Sequence, residues 1–173
     1  MKVLAFAATS SKNSINKQLA NYAAKQIEGA LVELIDLNDY EMPLFSEDRE
    51  KELGHPELAK AFYQKLGEAD VIVISFAEHN GSYSAAYKNL FDWTSRINTK
   101  VFQNKPVIML ATSPGPGGAA TVLAAAKGSA PYFGADLKGA ISVPSFYDNF
   151  DVENGRLTNK ELVDNILSSI AQL

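Results

Sequence analysis

The sequence predicts an α/β protein, a parallel sheet covered by helices on both faces, and three observations carry that reading. Apolar strand-like runs alternate with helical patterns from end to end. Those runs are nearly continuous in apolar residues, as strands buried on both faces are. Each is followed by turn residues and then by apolar spacing of period 3.6.

The first strand is read at residues 3–7 (VLAFA), followed by ATSSKNS at 8–14. Ile15, Leu19, Tyr22, Ala23 and Ile27 then recur at helical spacing, which predicts a helix over 15–28, capped by Asn13 or Ser14 and ended before a left-handed Gly29. The second strand falls at 31–35. The long stretch from 37 to 55 carries the charges of 47–52, read as a solvated surface, and the apolar 42–45, read as a flap over the sheet edge. Pro56 suits a first helical position and opens a helix over 56–68, ahead of a third strand at 71–76.

A helix over 85–97 follows. Ala86, Leu90, Trp93 and Ile97 form one stripe with Tyr87 and Phe91 beside it, a face wide enough to suggest a subunit interface. Lys88 with Asp92, and Asp92 with Arg96, are four apart and can pair. Then come a fourth strand at 107–111, a helix over 119–133, a fifth strand at 140–143, and a helix from 159 to the C-terminus. Thr158 and Glu161 are spaced as a capping box for that last helix. The expected total is five strands and five helices in one domain, 1–173.

Composition narrows the function. The chain has 173 residues, 46% hydrophobic, with a net charge of −4 and scattered Lys and Arg, so no basic stripe for nucleic acid is expected. The absence of cysteine excludes thiol nucleophiles and thiolate metal sites and fits a reducing, cytoplasmic setting. The apolar stretch after Lys2 is too short for a secretory core or a membrane span. No Gly-x-Ser-x-Gly elbow occurs, and His55 and His79 have no recognisable metal-ligand spacing.

Ligands of open parallel sheets bind beyond the carboxyl ends of the strands, where strand order reverses, so three loops carry the functional signal. The first is ATSSKNS, whose hydroxyls, amides and free N–H groups meet at a helix N-terminus and favour an anion such as a phosphate. Lys12 and Lys17 there have the right sign for a bound anion. The second, AEHNGSYS at 77–84, has Asn80-Gly81, a pair suited to a tight turn of positive φ that turns backbone groups toward a flat polar ligand. The third, ATSPGPGGAAT at 111–121, offers open backbone for a planar ring, and it lacks the Lys-Ser or Lys-Thr of a Walker loop.

These motifs, with YKNLFDWTSR at 87–96, DLNDYEMPLF at 36–45 and FDVENGRLTN at 150–159, resemble the NADPH-dependent FMN reductase family over nearly the whole chain. KNLFDWTSR is the most specific piece. The resemblance implies a flavodoxin-like three-layer sandwich with five parallel strands in the order 2-1-3-4-5. It also implies FMN and NADPH (or NADH) as cofactors, a small electron acceptor (flavin, quinone, azo compound or metal oxyanion), and a homodimer or homotetramer. The rival readings are a flavodoxin-type FMN electron carrier and a flavin-free scaffold or sensor of the same fold.

Carried onto this chain, the resemblance puts Thr9, Ser11, Lys12, Ser14, Ile15 and Asn16 at the FMN phosphate. Glu78, His79, Asn80 and Gly81 fall at the isoalloxazine edge, and Ser113, Gly115 and Gly118 near the ring system. Ala8-Thr9 stands where the family commonly has Gly-Ser, Ser11 stands at a usually basic position, and Ala77-Glu78-His79-Asn80 replaces Pro-x-Tyr-Asn. No catalytic acid or base is expected, because flavin chemistry needs mainly orientation and shelter from the protein.

Overall fold

A computed structural model describes all residues, 1–173. Its main sheet holds β1 (Lys2–Ala8), β2 (Leu31–Ile35), β3 (Val71–Phe76), β6 (Pro106–Thr112) and β7 (Asp136–Val143), in the order β2-β1-β3-β6-β7. All four pairings are parallel. Between β3 and β6 lies a two-residue hairpin, β4 (Glu78–His79) and β5 (Ser82–Tyr83), and after β7 a second, β8 (Phe150–Asp151) and β9 (Arg156–Leu157). The expected five strands are therefore nine. The order runs 2-1-3-6-7 rather than 2-1-3-4-5, since the first hairpin intervenes in the count. Ladders this short leave no alternating pattern in a sequence.

The central strands β1, β3 and β6 are buried because the chain alternates apolar residues to both faces, whereas the edge strand β2 leaves Leu31, Glu33 and Leu34 exposed and β7 is mostly half-buried. Leu4, Phe6, Ile72, Ile74 and Met109 face a core shared with α3 (Glu57–Glu68), α4 (Ala85–Ile97) and α5 (Ala120–Ser129). Val3, Ala5, Val71, Val73 and Leu110 face the other, shared with α1 (Ile15–Lys25) and α7 (Lys160–Ile170). Each of these Val, Leu, Ile, Phe and Met side chains contributes about 1.5–3 kcal/mol on burial, and Ala5 less.

Several boundaries differ from expectation for local reasons. Helix α1 stops at Lys25, short of 28, and Gly29 at φ 68 serves the turn into β2 instead of the cap itself. Pro56 is the N-cap of α3 and not its first residue. Helix α5 begins at 120 because Ala119 sits left-handed at φ 55, and it ends at 129, two residues before Pro131. Strand β7 begins four residues early, at Asp136, an edge strand with a polar start. Asn159, not Thr158, caps α7, its side chain accepting from the N–H of Glu161 and Leu162. A four-residue helix, α6 (Phe146–Asn149), and a 3-10 turn at Leu37–Tyr40 are too short to show a period.

The segment from 37 to 55 departs most. Its charges are solvated, but they form a helix, α2 (Glu47–Leu53), with Ser46 accepting from Arg49 N–H, three acidic residues in the first turn, and Gly54 at φ 66 after the end. The apolar 42–45 segment lies on α4 instead of over the sheet edge. Trp93 Nε1 donates to Pro43 O at 2.8 Å, Asn89 Oδ1 accepts from Phe45 N–H at 2.8 Å, and the Phe45 ring meets the Trp93 ring edge-on at 5.1 Å. Trp93 is thus fully buried within one chain, which accounts for part of the apolar width of α4. Lys88 pairs with Asp92 as spaced, whereas Arg96 turns from Asp92 to Glu50.

Candidate functional site

The loops after β1, β3 and β6 meet at the carboxyl end of the sheet in a cleft of about 280 Å³. The adjacency follows from topology, because β1, β3 and β6 are neighbours and their order reverses beside β1. Helix α1 presents its N-terminus here. Ser14, its N-cap, accepts from Lys17 N–H at 3.1 Å, while the N–H groups of Lys12, Asn13 and Ser14 find no acceptor in the protein. Those of Ile15 and Asn16 have none within the helix. No acidic residue stands in the first turn of α1. The result is a nest of free donors at the positive end of a helix dipole.

Side chains shape this nest from below. Thr9, nearly buried, accepts from Ser11 N–H at 3.2 Å, which folds the loop back over β1. Asn38 Nδ2 donates to Ser10 O at 3.0 Å and holds the loop from the side. Asn16 is 3% exposed and spends its amide on the scaffold. Its Oδ1 accepts from Ser75 Oγ at 2.7 Å and from Thr112 N–H at 3.1 Å, and its Nδ2 donates to Thr112 O at 3.2 Å. One side chain thus ties α1 to β3 and β6 at the base of all three loops.

The cations fall differently from expectation. Lys17 turns away from the loop to Asp36 at the end of β2, at 2.7 Å. That hydrogen bond, reinforced by Asn38 N–H, holds the Asp36 carboxyl below the usual aspartate range. Lys12 is exposed, lies outside the cleft lining and makes no ion pair.

Ala77, Glu78 and His79 form the second wall. Asn80 and Gly81, at φ 52 and 76, make the hairpin turn as their spacing predicts, and that turn projects beyond the lining. Glu78 reaches across to α5, where its Oε2 accepts from Val122 N–H at 2.9 Å. Ala119 supplies no side-chain cap, so Glu78 caps this helix from another element. Replacing it with alanine is expected to lower stability by about 1 kcal/mol. Glu78→Gln keeps an acceptor and should retain most of that in urea unfolding; equal losses for both variants would refute the capping role.

Thr112, Ser113 and Pro114 complete the third wall. Gly115 stays outside the lining and accepts from Ser145 N–H at 2.9 Å. Gly118 also faces away. A Cβ there would lie 2.4 Å from Ser142 Oγ and 3.0 Å from Pro144 backbone, and φ is 57, so glycine is required for packing against β7. Of the residues expected at the site, Thr9, Ser11, Ser14, Ile15, Asn16, Glu78, His79 and Ser113 line the cleft. Asn13, Ala77, Thr112, Pro114 and Tyr147 line it as well, and Tyr147 carried no signal because it follows the fifth sheet strand, beyond the loops that strand order singles out.

Fold and site together define a flavodoxin-like α/β protein whose helix N-terminus and backbone-rich walls suit a phosphorylated, planar cofactor. The profile of the NADPH-dependent FMN reductase family matches residues 1–146, and the chain belongs to that family. It is accordingly an NAD(P)H-dependent oxidoreductase that works with FMN.

Among its relatives, an uncharacterised protein of Mycoplasma pneumoniae is 32% identical over 158 residues, covering 88% of this chain and 92% of the relative. A 2-hydroxy-1,4-benzoquinone reductase of a Burkholderia species is 28% identical over 167 residues, covering 93% and 87%. In structure the chain resembles FerB, a flavoenzyme NAD(P)H:(acceptor) oxidoreductase from Paracoccus denitrificans, with a TM-score of 0.79 and 22% identity over 99% of this chain and 93% of that one.

Proposed function

We propose that the protein, as one domain over residues 1–173, transfers hydride from NAD(P)H through FMN seated in this cleft to a quinone-class acceptor. The observation that carries the seat is the set of unpartnered N–H groups at the start of α1, opening into the space between the loops after β3 and β6. The Burkholderia relative, matched over most of both chains, supports the acceptor class.

The residues present fit FMN. The free N–H groups of 12–16 and the hydroxyls of Ser11 and Ser14 would hold the phosphate, and the dipole of α1 would offset its charge. Backbone and small side chains at Ala77 and at Thr112 to Pro114 would border the ring system, with Glu78 and His79 along one edge. When bound, FMN supplies N5 as the hydride acceptor and, after reduction, the hydride donor. Asn16 keeps the three walls in register, and Glu78 fixes the second wall against α5, so the slot is held by rigid elements. No side chain is assigned as acid or base.

The assembly we propose is a homodimer or homotetramer in the cytoplasm. Supporting it is an aromatic groove of about 310 Å³ between α4 and α5, lined by Tyr83, Tyr87, Phe91 and Phe133. No helix is long and apolar enough to cross a membrane.

Anaerobic absorbance spectroscopy tests the function. Flavin bands should appear on adding FMN, bleach with one equivalent of NADPH, and return on adding a benzoquinone. Failure to take up FMN at micromolar concentration would overturn the proposed seat; slow bleaching followed by fast one-electron exchange would favour a carrier.

A further inference from the structure

We propose that Tyr147 is a cofactor-contacting residue that closes the phosphate end of the cleft and donates its phenolic hydrogen bond to the phosphate. The inference rests on FMN occupying this cleft. It concerns a residue just beyond the stretch that the family profile matches.

Tyr147 lines the cleft yet is 64% exposed, while its neighbour Phe146 is fully buried. That contrast is built by the backbone. Ser145 is held left-handed at φ 45, a conformation strained for a non-glycine residue. Its N–H donates to Gly115 O at 2.9 Å, the next N–H, of Phe146, donates to Ser113 O at 3.1 Å, and Asn149 Nδ2 donates to Pro144 O at 2.8 Å. Phe146 is stacked on Phe150 at 4.6 Å and meets the Tyr147 ring edge-on at 5.4 Å. The turn is thus anchored in the core on one side and to the third cleft wall on the other. With Phe146 directed into the core, the same turn directs its neighbour Tyr147 into the cleft.

The neighbours of this turn fix which end of the cleft Tyr147 serves. Ser113 follows Thr112, which is bonded through backbone N–H and O to Asn16 in the first turn of α1. Phe150, in the same segment, packs on Tyr22 of α1 at 6.0 Å. Tyr147 therefore stands on the α1 side of the sheet, across from the β4–β5 hairpin, in a lining it shares with Asn13 and Ser14 at the start of α1. A phenol is the natural completion of such a site. Its hydroxyl is a donor to an anionic oxygen, and its ring removes water from one face of the anion, which strengthens the remaining hydrogen bonds.

The test compares FMN with riboflavin, which lacks the phosphate, by titrating the full-length flavin-free protein and its Tyr147 variants. Tyr147→Ala is expected to weaken FMN binding about tenfold or more and riboflavin binding less than about twofold. Tyr147→Phe should show a smaller loss, again confined to FMN, with unfolding midpoints unchanged because the side chain is mostly solvated. FMN affinity within about twofold of the parent in Tyr147→Ala would overturn the inference. So would equal losses for both ligands, which would move the contact to the ring system, and an unaltered Tyr147→Phe would remove the hydrogen bond. If the parent protein binds no FMN, the cleft assignment itself fails.

Discussion

A Ser14→Asp variant is expected to lose FMN affinity by about 100-fold or more while the flavin-free protein keeps its stability within about 0.5 kcal/mol. Ser14 does two separable things. As N-cap of α1 it accepts from Lys17 N–H, and aspartate is at least as good a cap. As a cleft residue it stands among donors: the first turn of α1 has no acidic residue, Asp36 is paired with Lys17, and Glu78, on the second wall, is engaged by Val122 N–H. A new carboxylate there would repel a phosphate about 4 Å away by roughly 4 kcal/mol at an effective dielectric constant near 20. The readout is FMN affinity beside urea unfolding of the flavin-free chain. Undiminished FMN binding would show that the phosphate is not at this helix terminus.

The second large effect concerns Asn16. Replacing it with alanine is expected to lower stability by about 3 kcal/mol, because Ser75 Oγ and the Thr112 N–H and carbonyl are left in the interior without their partner. For a chain of this size that corresponds to a fall of about 10 °C in Tm. Asn16→Asp offers a sharper comparison. It keeps both acceptor bonds, loses the donor to Thr112 O, and places a charge at a site that is 3% exposed, so it should be at least as destabilised near neutral pH. Losses below about 1 kcal/mol in Asn16→Ala would mean that the network does not hold the three loops together.

Asn16 also shows how differently the sequence and the structure read one residue. The resemblance places it at the phosphate, and it does line the cleft; its side chain, however, is spent on β3 and β6, leaving only its backbone N–H on the cleft side. Gly118 is a parallel case, since glycine is needed there for Ser142 and Pro144 and not for a ring. In both, the residue type was legible and its partner was not. Partners 59 and 96 positions away in the chain leave no local pattern.

Local features, in contrast, came through the sequence because their causes are local. The alternation of apolar residues that gives the parallel sheet two cores, the donors before α1, and the positive φ at Asn80-Gly81 depend on neighbours within a few positions. By itself the sequence determined the α/β class, the helices on both faces and which three loops would meet at the carboxyl end of the sheet. Only the tertiary structure decided that Lys17 would leave the anion loop for Asp36, that Glu78 would cap α5, that residues 42–45 would cover Trp93, and that Tyr147 would enter the cleft. The physical reason is one of range. Periodicity, capping and turn chemistry act over a few residues, whereas ion pairs, caps donated by another element and cleft walls are set by which strands become neighbours in the sheet.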